Sequence, residues 1–210
     1  MVSYICRKLA HPKSVSKGVN ALSNSEKKAR MIESVIRQYR EKGIKFTMDD
    51  VANDLHMSKK TIYKYYEDKD SMLIDAVNQF FDTVKEAEDI ILKDDDLDYY
   101  EKLRRVLSAM PNQYDGMEFG QLYMTKEKHP KVYECIARRL ESGWEPTIRL
   151  LEEGIASGKL RNFSIPIMKT MMETTLEQFF QKDVLVKNDI PYNTALNEVV
   201  DILINGIRNN

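Results

Sequence analysis

The sequence is poor in cysteine and glycine, and it has no long apolar run. Its only two cysteines, Cys6 and Cys135, are far apart, so one chain cannot assemble a disulfide framework or a multi-cysteine zinc site. No apolar run approaches the length of a membrane span, and the first residues lack the apolar segment of a secretory signal. These absences favour a protein of the reducing cytoplasm without a membrane partner.

The charge of the chain is balanced overall but divided unevenly along it. The 210 residues have a net charge of -1. Residues 1–66 hold 14 basic and 6 acidic side chains, a net of +8, whereas residues 67–210 hold 18 basic and 27 acidic ones, a net of -9. This division predicts a basic module attached to an acidic one. Residues 1–24 contain no acidic residue, and they are interpreted either as a flexible basic arm or as an extension without a role.

Three short helices are predicted between residues 25 and 66. Apolar residues recur at helical spacing over Ser25–Lys42, and Gly43 follows as the stop. Thr47 can cap a second helix in a capping box with Asp50. Ser58 can cap a third helix that reaches about Tyr66, and two short helices on a tight turn form a helix-turn-helix.

Helical spacing continues to the C-terminus, without a sustained alternating strand, and predicts an all-α fold. Asp68 can cap a helix over Lys69–Leu92, and the acidic run at 94–98 then favours a solvated loop over a cation site, because the glycine and distal Glu of a calcium loop are missing. Residues 25–70 are therefore interpreted as one domain and residues 71–210 as a second, larger one. Its predicted helices are Tyr99–Met110, Gly116–Lys126, Pro130–Ser157 with a break near Gly143 and Pro146, Ser164–Lys182, and Tyr192–Arg208.

The stretch from Thr47 to Leu73 has the pattern of a DNA-binding element. A recognition helix presents short polar and basic side chains at its N-terminal end to base edges, and Lys59, Lys60 and Thr61 occupy that end. Neighbouring hydroxyl and ammonium groups can hold phosphates, although a solvated surface would also explain the lysines. The remaining candidates for DNA contact are Thr47, Ser58, Tyr63, Lys64, Tyr65 and Lys69, whereas Tyr66 is expected in the core.

This stretch resembles the TetR-type (tetracycline-repressor-like) family of bacterial transcription regulators. The matching positions are Gly43, Thr47, Asp49 or Asp50, Val51 and Ala52, Met57 and Ser58, Thr61 to Tyr63, Tyr65 and Tyr66, and Lys69, Asp70 and Leu73. His56 stands where the family usually has the turn glycine, and we expect a slightly strained turn there. Beyond residue 75 the resemblance is limited to length, helix content and the turn at Gly158, Lys159 and Leu160.

The resemblance implies a homodimer that binds a palindromic DNA operator and is released by a small molecule, so the expected activity is that of a repressor. Its implied partners are double-stranded DNA, a second copy of the chain and an apolar or amphipathic effector. The last two long helices would form a four-helix bundle between the copies. The apolar stripes predicted for this interface are Met172, Leu176, Phe179, Phe180, Leu196, Val199, Val200, Leu203 and Ile207.

The resemblance also implies an effector pocket inside the acidic domain, and adaptable apolar side chains there could line it. Ordinary core packing is the alternative for each of them, and Tyr123 or Tyr114 could add a polar group. The sequence contains no nucleophile-elbow, phosphate-loop, dinucleotide-binding or His-Glu-x-x-His motif, so no catalytic residue, metal ligand or cofactor is predicted. A second possibility is an adaptor or co-activator of the same fold that acts through a protein partner. The predicted pocket residues are Met110, Phe119, Tyr123, Met124, Trp144, Met168, Met171 and Met172.

Overall fold

The computed structural model describes residues 23–114, 117 and 119–209, and this part of the chain is α-helical. Residues 1–22, which include most of the predicted basic arm, lie outside the described residues. In the described part, β-structure is limited to one isolated bridge between Leu160 and Arg208. None of the described helices combines the length and the apolar character that crossing a membrane requires. The helices are α1 (Asn24–Lys42), α2 (Met48–Asp54), α3 (Lys59–Tyr63), α4 (Lys69–Leu92), α5 (Tyr99–Leu107), α6 (Thr125–Lys128), α7 (Pro130–Glu141), α8 (Glu145–Ala156), α9 (Ile165–Gln181), α10 (Val184–Lys187) and α11 (Tyr192–Ile207).

The first three helices form a small unit, which we call the head (residues 24–66). Its core contains Val35 of α1, Val51 of α2 and Ile62 of α3, each at most 2% exposed. An ion pair on the surface joins α1 to α2, because Arg37 donates to Asp54 at 2.7 Å. Burial of the apolar faces and this polar contact fix the angle between the helices.

Helix α4 joins the head to the remaining helices, which we call the body (residues 93–209). Asp68 caps it in a reciprocal arrangement with Ser71, and the helix runs from Lys69 to Leu92 as the sequence predicts. Met72 and Phe81 on its apolar face are buried. The helix packs against α1 of the head and against α5 and α7 of the body, so it belongs to both cores.

The body follows the predicted order of helices with three differences. Residues 112–128, part of which was predicted as one α-helix from Gly116, form 3-10 turns at Asn112–Tyr114 and Phe119–Met124, followed by the short α6, while Gly116 itself is outside the described residues. Helix α10 was not predicted, and α5 ends three residues early, at Leu107. The predicted break between α7 and α8 is confirmed, with Gly143 at a φ of 76°.

A close approach between α5 and α8 depends on a glycine. The hydroxyl of Tyr99 donates to the carbonyl oxygen of Leu150 at 2.9 Å. It passes Gly154 so closely that a methyl group at that position would collide with the Tyr99 ring and with Leu160. Gly154 therefore fixes the distance between these two helices.

Candidate DNA-binding interface and ligand cavities

The start of α2 is held by the predicted capping box. The Thr47 hydroxyl accepts from the Asp50 backbone at 3.2 Å, and the Asp50 carboxylate accepts from the Thr47 backbone at 2.8 Å. Lys42 donates to the same carboxylate at 2.6 Å, and this contact, followed by those from Thr47, lowers the pKa of Asp50 to about 2. Thr47 is exposed, but its hydroxyl is already engaged within the cap.

The turn between α2 and α3 is tight and contains a strained residue. His56 has a φ of 51°, which confirms the expected left-handed conformation at the position where a glycine is common. The backbone N–H of Met57 then donates to Ala52 at 2.8 Å and closes α2. Ser58 caps α3 by accepting from the Thr61 backbone at 3.1 Å, while the two hydroxyl oxygens lie 2.8 Å apart.

Helix α3 has one buried side and one exposed side. Ile62 is fully buried, and Tyr66, which follows the helix, is 3% exposed, so the expectation that Tyr66 lies in the core is confirmed. Lys60, Tyr63 and Lys64 are exposed on the other side, with Tyr63 at 46%. A DNA contact by these three side chains remains a prediction, and it agrees with their placement.

Lys59 differs from its neighbour Lys60 because it already has a partner. Its ammonium group lies 2.9 Å from the carboxylate of Asp49 on α2. This contact raises the pKa of Lys59. Contact with DNA would require Lys59 to leave Asp49 or to share its donors between the carboxylate and the DNA.

Two predicted phosphate contacts have other partners in the structure. The Tyr65 hydroxyl donates to Asn24 at 3.3 Å, and the side chain is half-buried. Lys69 donates to the carbonyl oxygen of Ile44 at 2.5 Å and lies 4.3 Å from the centre of the Phe46 ring. Burial lowers the pKa of Lys69. Lys69 therefore ties the start of α4 to the head, and its contact with a phosphate stays a prediction.

The inner end of α3 is anchored to α1 and α4. The Tyr66 hydroxyl donates to Asp75 at 2.8 Å, and burial, followed by this contact, raises the pKa of Tyr66. Lys28 of α1 lies 3.4 Å from the same carboxylate and 4.9 Å from the Tyr66 ring. The exposed side of α3 is thus held in a fixed orientation relative to α4.

One cavity lies inside the body, and we call it the body cavity. It has a volume of about 90 Å³ and is lined by apolar side chains that include Met110, Trp144 and Met172. Three charged residues also line it, and sequence reasoning missed them: Lys85, Glu88 and Arg139. The signal was present, because Glu88 interrupts the apolar stripe of α4 at the position where a buried residue is due.

The charged residues of the body cavity form two pairs. Lys85 lies 3.0 Å from the Glu88 carboxylate, and burial raises the pKa of Glu88. Arg139 donates to Asp82 at 2.6 Å, while its buried Nε atom has no hydrogen-bond partner within the described residues. The cavity thus combines an apolar wall with a polar side.

A second cavity lies where the head meets the body, and we call it the junction cavity. It has a volume of about 80 Å³ and shares Phe80, Phe81 and Phe180 with the body cavity. Phe119, a predicted pocket residue, lines the junction cavity. The two cavities are therefore neighbours along α4.

Four predicted pocket residues do not line either cavity as described. Met171 is 52% exposed on the surface of α9, where it lines an open surface pocket with Ile167 and Thr175, outside both cavities. Met168 is buried at 4% exposure and Met124 is half-buried, and both pack outside the two cavities. The side chain of Tyr123 lies outside the described residues.

The predicted dimer stripes face mainly into the chain's own core. Six of the nine side chains are at most 8% exposed, so they have almost no surface left for a partner; Leu176, Phe179 and Val199 are half-buried. Their part in a dimer interface stays a prediction. The apolar residues exposed on the two helices are instead Ile167 (63%) and Met171 (52%) of α9 and Ile202 (71%) of α11. The six buried residues are Met172, Phe180, Leu196, Val200, Leu203 and Ile207.

Sequence comparisons identify known helix-turn-helix regulators that are similar to this chain. Residues 32–76 match the family described as bacterial regulatory proteins, tetR family. The chain is 28% identical over 178 residues, which are 85% of this chain and 94% of the other, to the uncharacterized HTH-type transcriptional regulator YvaF of Bacillus subtilis (strain 168).

Two solved structures show the same fold over most of the chain. The fatty acid degradation regulator FadR from Bacillus halodurans superimposes with a TM-score of 0.62 at 18% identity, covering 91% of this chain and 100% of that one. The transcriptional regulator FadR from Bacillus subtilis in complex with stearoyl-CoA gives a TM-score of 0.55 at 20% identity, with 86% and 99% covered. Residues 32–76, which include the helix-turn-helix, therefore match the DNA-binding region of the TetR-type family of transcriptional regulators, and the chain has the all-α fold of that family.

Proposed function

We propose that the protein is a homodimeric repressor that binds a palindromic operator and is released by a small apolar or amphipathic effector. One observation carries the proposal: α4 is anchored in the head at its first turn and lines the body cavity further along. Residues 25–70 act as the DNA-binding domain and residues 71–210 as the effector and dimerisation domain. Because bacterial DNA lies in the cytoplasm, the protein acts there, and it acts by binding, without catalysis.

DNA binding in this proposal uses the exposed side of α3. Lys60 reads base edges in the major groove, while Tyr63 and Lys64 hold phosphates. Two copies related by a two-fold axis place two such helices in successive major grooves, and this arrangement requires an inverted repeat.

Dimerisation in this proposal uses the apolar residues that the chain leaves exposed on α9 and α11. Ile167, Met171 and Ile202 project outward from two helices, as a helix-bundle interface requires. The substitution Ile202→Lys should therefore shift the protein towards monomers in sedimentation velocity. Asn205→Lys on the same helix is the matched control, since Asn205 is exposed and polar. A dimer that survives Ile202→Lys at low micromolar concentration would place the interface elsewhere.

Effector binding in this proposal uses the body cavity. Its apolar wall suits an apolar group, and the Arg139 and Lys85 side chains suit a polar one. The Bacillus subtilis FadR relative holds stearoyl-CoA, a ligand with both kinds of group. The protein can be described by two conformations that differ in the orientation of the head. A ligand that binds one conformation a hundredfold more tightly than the other supplies about 2.7 kcal/mol, which is enough to change the operator affinity by the same factor.

Selection of randomised duplex DNA by the purified full chain, followed by sequencing of the bound pool, tests the proposal. Enrichment of an inverted repeat is the expected result, because the dimer presents two identical heads. Binding that enriches no sequence and fades as salt rises would instead identify a non-specific anchor. That outcome would favour the adaptor or co-activator, whose activity depends on a protein partner.

A further inference from the structure

The junction cavity is enclosed by walls that belong to different parts of the molecule. Val35, Ile36 and Tyr39 of α1 form the head side, and Tyr114 and Phe119 of the 3-10 turns form the body side. α4 forms the floor through Ala76 and its neighbours. A molecule in the junction cavity would contact the head and the body at the same time. A molecule in the body cavity would not contact the head, because no residue of the head lines that cavity.

The chemistry of the walls defines what can enter. The described residues that line the junction cavity include no charged side chain. An ion placed there would lose its hydration without gaining a counter-charge, so a charged ligand is excluded. The volume of about 80 Å³ has room for several non-hydrogen atoms, because about 10–15 Å³ by this measure holds one water molecule.

One polar group, the Tyr114 hydroxyl, lies in the wall close to the side chains of Gln113 and Thr83. Tyr114 is 2% exposed, and its hydroxyl makes no hydrogen bond within the described residues. Its ring packs edge-on against Phe80, with the ring centres 4.7 Å apart. Burial raises the pKa of Tyr114, so the hydroxyl stays protonated and can donate. Buried hydroxyl groups nearly always find a partner in folded proteins, and a ligand that offers a well-placed acceptor can compete here with the weak interactions to Gln113 and Thr83.

We propose that the junction cavity is a second ligand site, for a small uncharged molecule that is mostly apolar and carries one group able to hydrogen-bond to Tyr114. Phenols and cyclic alcohols have this chemistry. The proposal goes beyond the effector site described above, which lies in the body cavity and does not require this one.

Occupancy of the junction cavity acts directly on the head. Arg40 of α1 donates to the carbonyl oxygen of Gln113 at 2.5 Å, so the two walls of the cavity are also joined by a hydrogen bond at the edge. A ligand larger than the empty space separates α1 from the 3-10 turns and stretches this bond. The head and the first turn of α4 then move together relative to the body, and the exposed side of α3 moves with them.

Phenol and benzene are suitable probes, because they have the same ring and differ by one hydroxyl. Binding to the full chain is measured by titration with ligand-observed NMR, in the absence of DNA. Ala76→Leu fills the junction cavity, and Ala109→Leu is the matched control, since Ala109 lines only the body cavity. Ala76→Leu should weaken phenol binding at least tenfold and Ala109→Leu by less than twofold.

Further variants keep the test decisive. If Ala76→Leu melts early, Val77→Ile fills the same cavity with a single methylene and should weaken phenol binding by about threefold. Tyr114→Phe should reduce the preference for phenol over benzene, because the hydroxyl is lost. Equal phenol affinity in the wild type and in the filled variants would overturn the proposal, as would a loss of binding in Ala109→Leu alone.

The effect on DNA is measured separately, so that it cannot be confused with failure of the repressor proposal. Saturating phenol should lower the affinity for the selected operator in the wild type and in Ala109→Leu, but not in Ala76→Leu. Phenol binding that leaves operator affinity unchanged would overturn the regulatory role of this site. If no operator can be selected, the repressor proposal fails while the binding test still stands.

Discussion

The three lysines of the α3 region should contribute differently to DNA binding, although they lie within six residues of one another. Lys60 and Lys64 are exposed, and neither forms an ion pair in the described part of the chain. Lys60→Ala should remove a base contact worth about 1–3 kcal/mol in each half-site and relax the sequence preference. Lys64→Ala should weaken binding to all sequences and reduce the salt slope by about 1 for each head, or about 2 for the dimer.

Lys59 provides the control within the same helix. Because its ammonium group is 2.9 Å from Asp49, part of its charge is already neutralised, so Lys59→Ala should change the salt slope less than Lys64→Ala does. Fluorescence anisotropy measures the affinity for the selected operator and for a scrambled duplex at salt concentrations from about 50 to about 200 mM. The ratio of the two affinities reports sequence preference, and the salt slope reports phosphate contacts. The assignment of roles on α3 is refuted if Lys60→Ala leaves the ratio of the two affinities unchanged and Lys64→Ala leaves the slope unchanged.

Three further predictions concern stability. The ion pair with α1 lowers the pKa of Asp54, so its stabilisation is present above its ordinary pKa of 3.8 and is lost as the pH falls through the lowered value. Asp54→Asn should therefore be destabilised in urea at pH 7, with a smaller difference from the wild type at pH 3. Burial raises the pKa of Glu88, so its contribution is lost as the pH rises, and Glu88→Gln should gain more stability at pH 8 than at pH 4 in thermal melts. Gly154→Ala should destabilise the protein by about 1–3 kcal/mol, because the added methyl group collides with Tyr99, and the melting temperature should fall by several degrees. Gly206→Ala is the control, because a methyl group there meets nothing within 4 Å and should leave the melting temperature unchanged.

The helix-turn-helix could be predicted closely because the interactions that define it are local. Two hydrogen-bonded pairs, Thr47 with Asp50 and Ser58 with Thr61, are each separated by three residues. Their spacing in the sequence is therefore enough to predict the helix caps. The left-handed turn at His56 could be predicted for the same reason. The bounds of α4 follow from its cap at Asp68 and the acidic run that ends it.

The segment between α5 and α7 could not be predicted because its conformation depends on distant partners. Apolar spacing over 116–126 favours an α-helix, yet residues Phe119–Met124 form a 3-10 turn against α9. There Phe119 packs against Phe80 of α4 and Tyr192 of α11, with ring centres 5.3 Å and 5.1 Å apart. Phe119 and Tyr192 are about seventy residues apart in the sequence, so the apolar spacing within 116–126 cannot reveal this contact.

The side of α9 and of α11 that packs within the chain could not be predicted either, for a different reason. Both helices are apolar on more than one side, and hydrophobic periodicity does not tell which side packs within the chain. Met172 and Val200 are almost fully buried, whereas Met171, the neighbour of Met172, and Ile202 are exposed. The exposed residues were visible in the sequence, but only the fold assigns them to the outside.

In the proposed function, α4 connects ligand binding in either cavity to the head. At about 1.5 Å per residue, its 24 residues extend over about 36 Å, from the head to the middle of the body. Its first turn is tied to the head by Lys69 and to the start of α7 by Asp70, whose carboxylate is 2.5 Å from His129. Further along, Glu88 lies in the body cavity. Because a helix is stiffer along its axis than a loop, we expect a displacement at the cavity to reach the first turn, where the head is attached. The junction cavity lies between these two points, and a ligand there needs no transmission along the helix.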